Sequence, residues 1–152
     1  MSRVALLDVN VLVALFDSEH VHHNLAHDWF ADHRDQGWAT CPITENGFLR
    51  VLSNPAYGHD RLRPERLGRM LRKFRASGHH EFWPDTISFA DDRVLDLALV
   101  PGHRQITDLY LVGLAVRMKG CLATFDRTIP FKAVRGASAS SLEVIRPAEQ
   151  PD

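Results

Sequence analysis

The feature that most constrains this chain is an unbroken apolar run, Val4-Ala5-Leu6-Leu7, that ends on Asp8. A run without polar alternation predicts a strand buried on both faces, the usual condition of a parallel sheet. Asn10 follows two residues later, and Val11-Leu12-Val13-Ala14-Leu15-Phe16 continues as the start of a helix. This order delivers the Asp8 carboxylate to the carboxyl end of a central strand, where open α/β sheets bind their ligands. Asp8 or Asn10 could equally be a helix cap. The local sequence leaves both readings open.

The 152 residues are expected to form a single domain over 1–147, followed by a polar tail at 148–152. A formal net charge of −1 supplies no global attraction to polyanions, so any nucleic-acid surface must be local. Cys41 and Cys121 are isolated in strand-like runs, which suits buried thiols in a reducing compartment. Asp8 and Asn10 interrupt the first apolar run, so no signal peptide is expected, and no stretch reaches the roughly 20 apolar residues of a membrane span. The expected location is the cytoplasm.

Further along, Leu25, Ala26, Trp29 and Phe30 make one face of an amphipathic helix that Gly37 ends, and Trp38-Ala39-Thr40-Cys41 predicts a second strand. His23 and His27 stand four apart on that helix, but no third metal ligand lies nearby in sequence, and a solvated face is the simpler reading. Pro42 suits the first turn of the next helix, which carries Glu45 in its opening turn. After the breaker Asn54-Pro55-Ala56-Tyr57-Gly58, a basic helix begins at Pro64, with Arg66, Arg69 and Arg72 or Lys73 on one side. That stripe is either a surface that tracks a phosphate backbone or a solvated helix face. Glu81-Phe82-Trp83 predicts a third strand, 91–99 a helix, and Ile106-Thr107-Asp108 the start of a helix apolar almost all round. Thr107 is the natural cap there, with Asp108 in the first turn, and Gly120 is placed to stop the helix in a left-handed conformation. Cys121-Leu122-Ala123-Thr124-Phe125 predicts a fourth strand with Asp126 at its carboxyl end, and Leu142–Arg146 a fifth. Strands alternating with helices predict a parallel sheet of four to five strands covered on both faces.

Asp8 and Asp126 both leave strands at the carboxyl edge, and Glu45 and Asp108 open helices that could begin there. Carboxylates about 5 Å apart at an effective dielectric near 20 repel by about 3 kcal/mol per pair. A divalent cation removes that cost. Magnesium and manganese prefer oxygen ligands, retain waters, and can activate one of them against a phosphodiester.

Four segments carry a family resemblance: Leu6–Leu12, Thr44–Leu52, Gln105–Leu111 and Leu122–Arg127. In series they resemble the four acidic motifs of PIN-domain ribonucleases, and within them the VapC-type toxins of bacterial toxin–antitoxin pairs. The resemblance implies a three-layer α/β/α fold and metal-dependent endoribonuclease activity with Mg2+, or Mn2+ in its place, as one or two ions. It also implies a homodimer and a cognate VapB-type antitoxin. Asp8, Glu45, Asp108 and Asp126 carry over as catalytic and metal-binding residues. Asn10, Thr107 and Thr124 fall at supporting polar positions, and Arg66, Arg69 and Lys73 are candidate RNA contacts. A phosphoaspartyl phosphatase would want an aspartate where Asn10 stands, and a structure-selective DNA nuclease would want additional DNA-gripping segments. The alternative from another class is a non-catalytic RNA-binding or assembly protein on the same fold.

Overall fold

The computed structural model describes residues 3–58 and 62–147. Arg61 and the tail expected at 148–152 lie outside the described residues.

The first apolar run forms strand β1 (Ala5–Leu7), and Asp8 turns the chain directly into helix α1 (Val9–Phe16). The helix begins two residues earlier than Val11 because Asp8 caps it, one carboxylate oxygen accepting the Val9 amide at 2.7 Å. Helix α2 (His23–His33), strand β2 (Trp38–Thr40) and helix α3 (Pro42–Ser53) follow. Then come helix α4 (Pro64–Phe74) and strand β3 (His80–Phe82). Helix α5 (Ile106–Arg117), strand β4 (Cys121–Thr124) and strand β5 (Leu142–Val144) complete the fold. The five strands are parallel, in the order β3-β2-β1-β4-β5.

Strand alternation divides the interior into two layers. Ala5, Leu7, Trp38, Cys121 and Ala123 face a core built from α1, α2, α3 and α4. Leu6, Ala39 and Leu122 face the other side, where α5 and Trp83 cover the sheet. Leu109 through Ala115 are all buried, because loops close over the outer side of α5: Ile87, Val94 and Val134 surround Gly113. Both cysteines are buried free thiols, and burial pushes each thiol pKa up.

Three local expectations are corrected. Residues 91–99 form turns and a short 3-10 helix at Leu97–Leu99, where a regular helix was expected. Asp91 and Asp96 accept the amides two residues ahead, from Arg93 and Ala98, and such local bonds compete with a helix. The Leu95 backbone bridges Val134, and the Asp96 amide bonds Ala133, so the segment is pinned to another part of the chain. Second, α5 is preceded by a 3-10 turn at His103–Gln105, which puts Gln105 at the cap and Thr107 inside the helix. Third, the left-handed residue after α5 is Lys119 (φ 59°) and not Gly120. Gly120 is required for another reason: a Cβ there would press on the Val4 carbonyl and come within 2.7 Å of Trp83. Among the described residues no helix is long and apolar enough to cross a membrane.

Candidate active site

Strand β1 sits between β2 and β4, so successive connections leave it in opposite directions and open a crevice at its carboxyl end. The Asp8 amide bonds the Ala123 carbonyl at 2.9 Å, which fixes Asp8 beside the end of β4. Thr124, the last residue of β4, has no exposed surface. Its hydroxyl donates to the second Asp8 oxygen at 2.8 Å and accepts the Asp126 amide at 3.1 Å. The Asn10 side-chain amide reaches the same hydroxyl at 3.4 Å. One hydroxyl thus ties the ends of both strands together. Asp126 is oriented by Thr128, whose amide and hydroxyl both donate to one carboxylate oxygen at 2.8 Å.

Asp8, Asn10, Asp108 and Asp126 line one cavity of about 440 Å³, together with His20 and Tyr57. Burial raises the Asp8 pKa against the bonds from Thr124 and Val9, and the Asp126 charge pushes in the same direction as burial. The Asp108 carboxyl is pushed up to about 6, first by burial, then by Asp8 and Asp126. Three of the four sequence-nominated acids therefore share one field.

Glu45 is placed elsewhere. It accepts the Thr40 hydroxyl at 2.6 Å and pairs with the Arg75 guanidinium at 3.6 Å, and it does not line the acidic cavity. His80 bonds the same Thr40 hydroxyl at 2.8 Å, and its pKa falls to about 4 through burial and the Arg75 charge. Thr107 lines a neighbouring cavity of about 500 Å³ with Val9, Asn46 and Arg50. On α4, Arg66, Arg69 and Lys73 are exposed, and Arg69 pairs with Glu65 at 2.9 Å. None of the three borders the acidic cavity. His23 and His27 bond the Ala14 and Leu15 carbonyls at the end of α1, at 2.7 and 2.8 Å. Sequence reasoning missed His20 and Tyr57 as cavity residues, and Arg75 as the partner of Glu45. The histidine run at 20–23 was the available signal for the first, but only the turn between α1 and α2 brings His20 to the acids.

Among the described residues, no three His, Cys, Asp or Glu side chains converge closely enough to hold an ion by themselves. The cavity nevertheless suits a hydrated hard cation. The Asn10 side-chain oxygen is buried without a hydrogen-bond partner, and the Asp108 carboxyl lacks compensation for its neighbours' charge. Magnesium keeps several waters and is commonly held by one or two carboxylates, so widely set oxygens fit it better than a closed cage would.

The family described as PIN domain matches residues 5–137 of the chain. The sequence is 41% identical over 141 residues to Ribonuclease VapC44 of Mycobacterium tuberculosis (strain ATCC 25618 / H37Rv), covering 93% of this chain and 99% of that protein. It is 44% identical over 128 residues to Ribonuclease VapC38 of the same strain, covering 81% and 85% of the two chains. Identity to Ribonuclease VapC39, also from that strain, is 40% over 141 residues, again with 93% and 99% covered.

Proposed function

Because this chain belongs to the PIN-domain family, we propose that it is a metal-dependent endoribonuclease and the toxin of a toxin–antitoxin pair. The observation that carries the reading is the single cavity that Asp8, Asp108 and Asp126 all line, with Asp108 pushed up to about 6 by burial and by the other two. Resemblance to proteins named ribonucleases supplies the substrate class.

Asp8, Asp108 and Asp126 would hold Mg2+, or Mn2+ in its place, as one or two ions, with the Asn10 oxygen facing the same space. A bound divalent ion supplies water activation and charge neutralisation at the phosphodiester. The chain's own part is placement. Thr124 holds Asp8 and the Asp126 backbone at a fixed spacing, and Thr128 fixes the Asp126 rotamer. Glu45 enters the ligand set only by exchanging its ion pair with Arg75. Hydrolysis by this route, with water as the nucleophile and the 3′-oxygen leaving as a hydroxyl, would give 5′-phosphate and 3′-hydroxyl ends and no 2′,3′-cyclic phosphate. End mapping of cleaved RNA tests this: excess chelator should stop cleavage, whereas 2′,3′-cyclic phosphates or undiminished activity in chelator reject the mechanism.

The exposed basic stripe of α4 is proposed to hold the RNA backbone. Reversing charge at Arg66, Arg69 and Lys73 should weaken RNA binding and reduce the slope of log affinity against log salt by up to about 0.7 per contact for single strands. An unchanged slope returns the stripe to a solvated face or assigns it to a protein partner. The proposed partners are a second copy of the chain and a VapB-type antitoxin, in the cytoplasm. An arginine of the antitoxin would pair with the acidic cavity, its planar fork matching a carboxylate.

A non-catalytic RNA-binding role is favoured by one observation, the ion pair that keeps Glu45 away from the other acids. Purified protein that binds RNA and leaves it intact in both Mg2+ and Mn2+ would establish it.

A further inference from the structure

The acidic cavity has a wall that carries no carboxylate. His20 and Tyr57 form it with Val13 and Val51. Among the described residues, the lining offers no lysine or arginine to grip a nucleotide. What the wall offers is flat aromatic surface. The His20 ring lies nearly parallel to Phe125, at 23° and 6.4 Å between centroids. His22 packs on Phe125 at 4.6 Å, and the two histidines are 5.8 Å apart.

The three rings are held, not merely adjacent. The His20 amide donates to the Asp17 carbonyl at 3.0 Å. The His22 amide donates to Nδ1 of His20, also at 3.0 Å. Accepting that bond uses the Nδ1 lone pair, and burial lowers the His20 pKa, both of which favour the neutral ring. Phe125 lies between Thr124 and Asp126, so its position is set by the same backbone that positions the acids. Val21, at the tip of the turn, is 86% exposed, and His20, His22 and Phe125 are half-buried, so part of each ring is open to solvent.

We propose that His20, which lines the acidic cavity and is backed by Phe125 and His22 outside it, is a nucleobase subsite that stacks a base flanking the scissile phosphate of single-stranded RNA. The inference rests on the ribonuclease reading and deepens it. A cavity of about 440 Å³ falls in the usual range of small-ligand sites, roughly 300–1,000 Å³, and has room for a nucleotide. Stacking holds a base without adding positive charge beside the carboxylates, and it requires an unpaired base whose face is free. Because every base has a π-face, this contact grips the strand without choosing a sequence.

The test is cleavage kinetics on a short fluorescent single-stranded RNA that spans a mapped cut site, with melting curves run beside it. His20→Ala and His20→Gln remove the ring, and each should raise KM about tenfold with kcat little changed. His20→Phe keeps a ring but loses the acceptor of the His22 amide, so its KM should lie between wild type and His20→Ala, nearer wild type. An abasic nucleotide placed in turn on either side of the cut should raise the wild-type KM by a similar factor on one side only. His20→Ala should not distinguish abasic from intact RNA, since the interaction is already gone. Unchanged KM in His20→Ala overturns the subsite. Retention in His20→Gln with loss in His20→Phe does so too, making the contact a hydrogen bond. Equal loss of kcat and melting temperature in all three variants makes the turn structural and overturns it. If the wild-type protein cleaves no RNA with any divalent ion, the ribonuclease reading falls and the subsite falls with it. Cleaving wild type with an indifferent His20→Ala removes the subsite alone.

Discussion

Asp8→Asn is expected to lower RNA cleavage by more than a hundredfold while the protein remains folded. Residues that merely support a metal ligand typically cost roughly 10–100-fold when replaced, and a direct holder should exceed that range. The substitution keeps side-chain volume and the oxygen that accepts the Val9 amide, so the start of α1 survives. What changes is the side facing Thr124. Its hydroxyl already accepts from the Asp126 amide and from Asn10, and it donates only to Asp8. An asparagine nitrogen there gives the hydroxyl a third donor and leaves its own proton without an acceptor, a cost of about 1–3 kcal/mol. Removing a carboxylate that burial disfavours offsets part of that cost. Thr124→Val should produce a milder version, inside the 10–100-fold range. Initial rates and melting curves check both variants. Activity of Asp8→Asn within tenfold of wild type would reduce Asp8 to the helix cap that it also is.

Asp108→Asn is expected to separate stability from activity, in a manner that depends on pH. The Asp108 pKa in the folded protein is about 6, against an ordinary value of 3.8. Between these values the folded chain keeps a proton that the unfolded chain has released, so stability falls as pH rises through the interval. Above pH 6 the fold carries the whole penalty. Below 3.8 it carries none. Asparagine cannot ionise, so the variant's advantage should be absent in acid, grow through pH 4 to 6 and level off near neutrality. Asp108 is only partly buried, and solvent screening reduces the penalty to on the order of 1 kcal/mol, a shift of a few degrees in melting temperature. Without metal the variant should melt at or above wild type at pH 7, gain less from added Mg2+ or Mn2+, and cleave no RNA. Thermal melts across pH, with and without ion, read all three effects. A variant that unfolds at every pH, with equal gain from metal in both proteins, would make Asp108 a structural residue of the α5 start.

The interior of this protein is written in local pattern. Val4–Leu7, Trp38-Ala39 and Cys121–Ala123 are apolar without alternation, the last two running into a threonine, and the chain has only one economical use for such runs, a parallel sheet buried on both faces. Helix starts at Pro42 and Pro64 follow from a ring that pre-sets φ and lacks a donor, a property of the residue itself. The place of Asp8 and Asp126 at strand ends was legible for the same reason.

Wherever the outcome depended on a partner distant in sequence, only the tertiary structure decided. Residues 91–99 have helical spacing, but their backbone bonds go to 133–135 and to neighbouring aspartates. Gly120 looked like a helix stop and is instead a point of contact with Val4 and Trp83. Glu45 stands in the expected first turn, yet its side chain goes to Thr40 and Arg75, a residue thirty positions away. His20 reaches the acidic cavity because the turn after α1 folds back toward the end of β4. Apolar periodicity selects which backbone segment is buried. The direction of a polar side chain is chosen by whichever donor or charge the finished fold brings within about 3 Å of it.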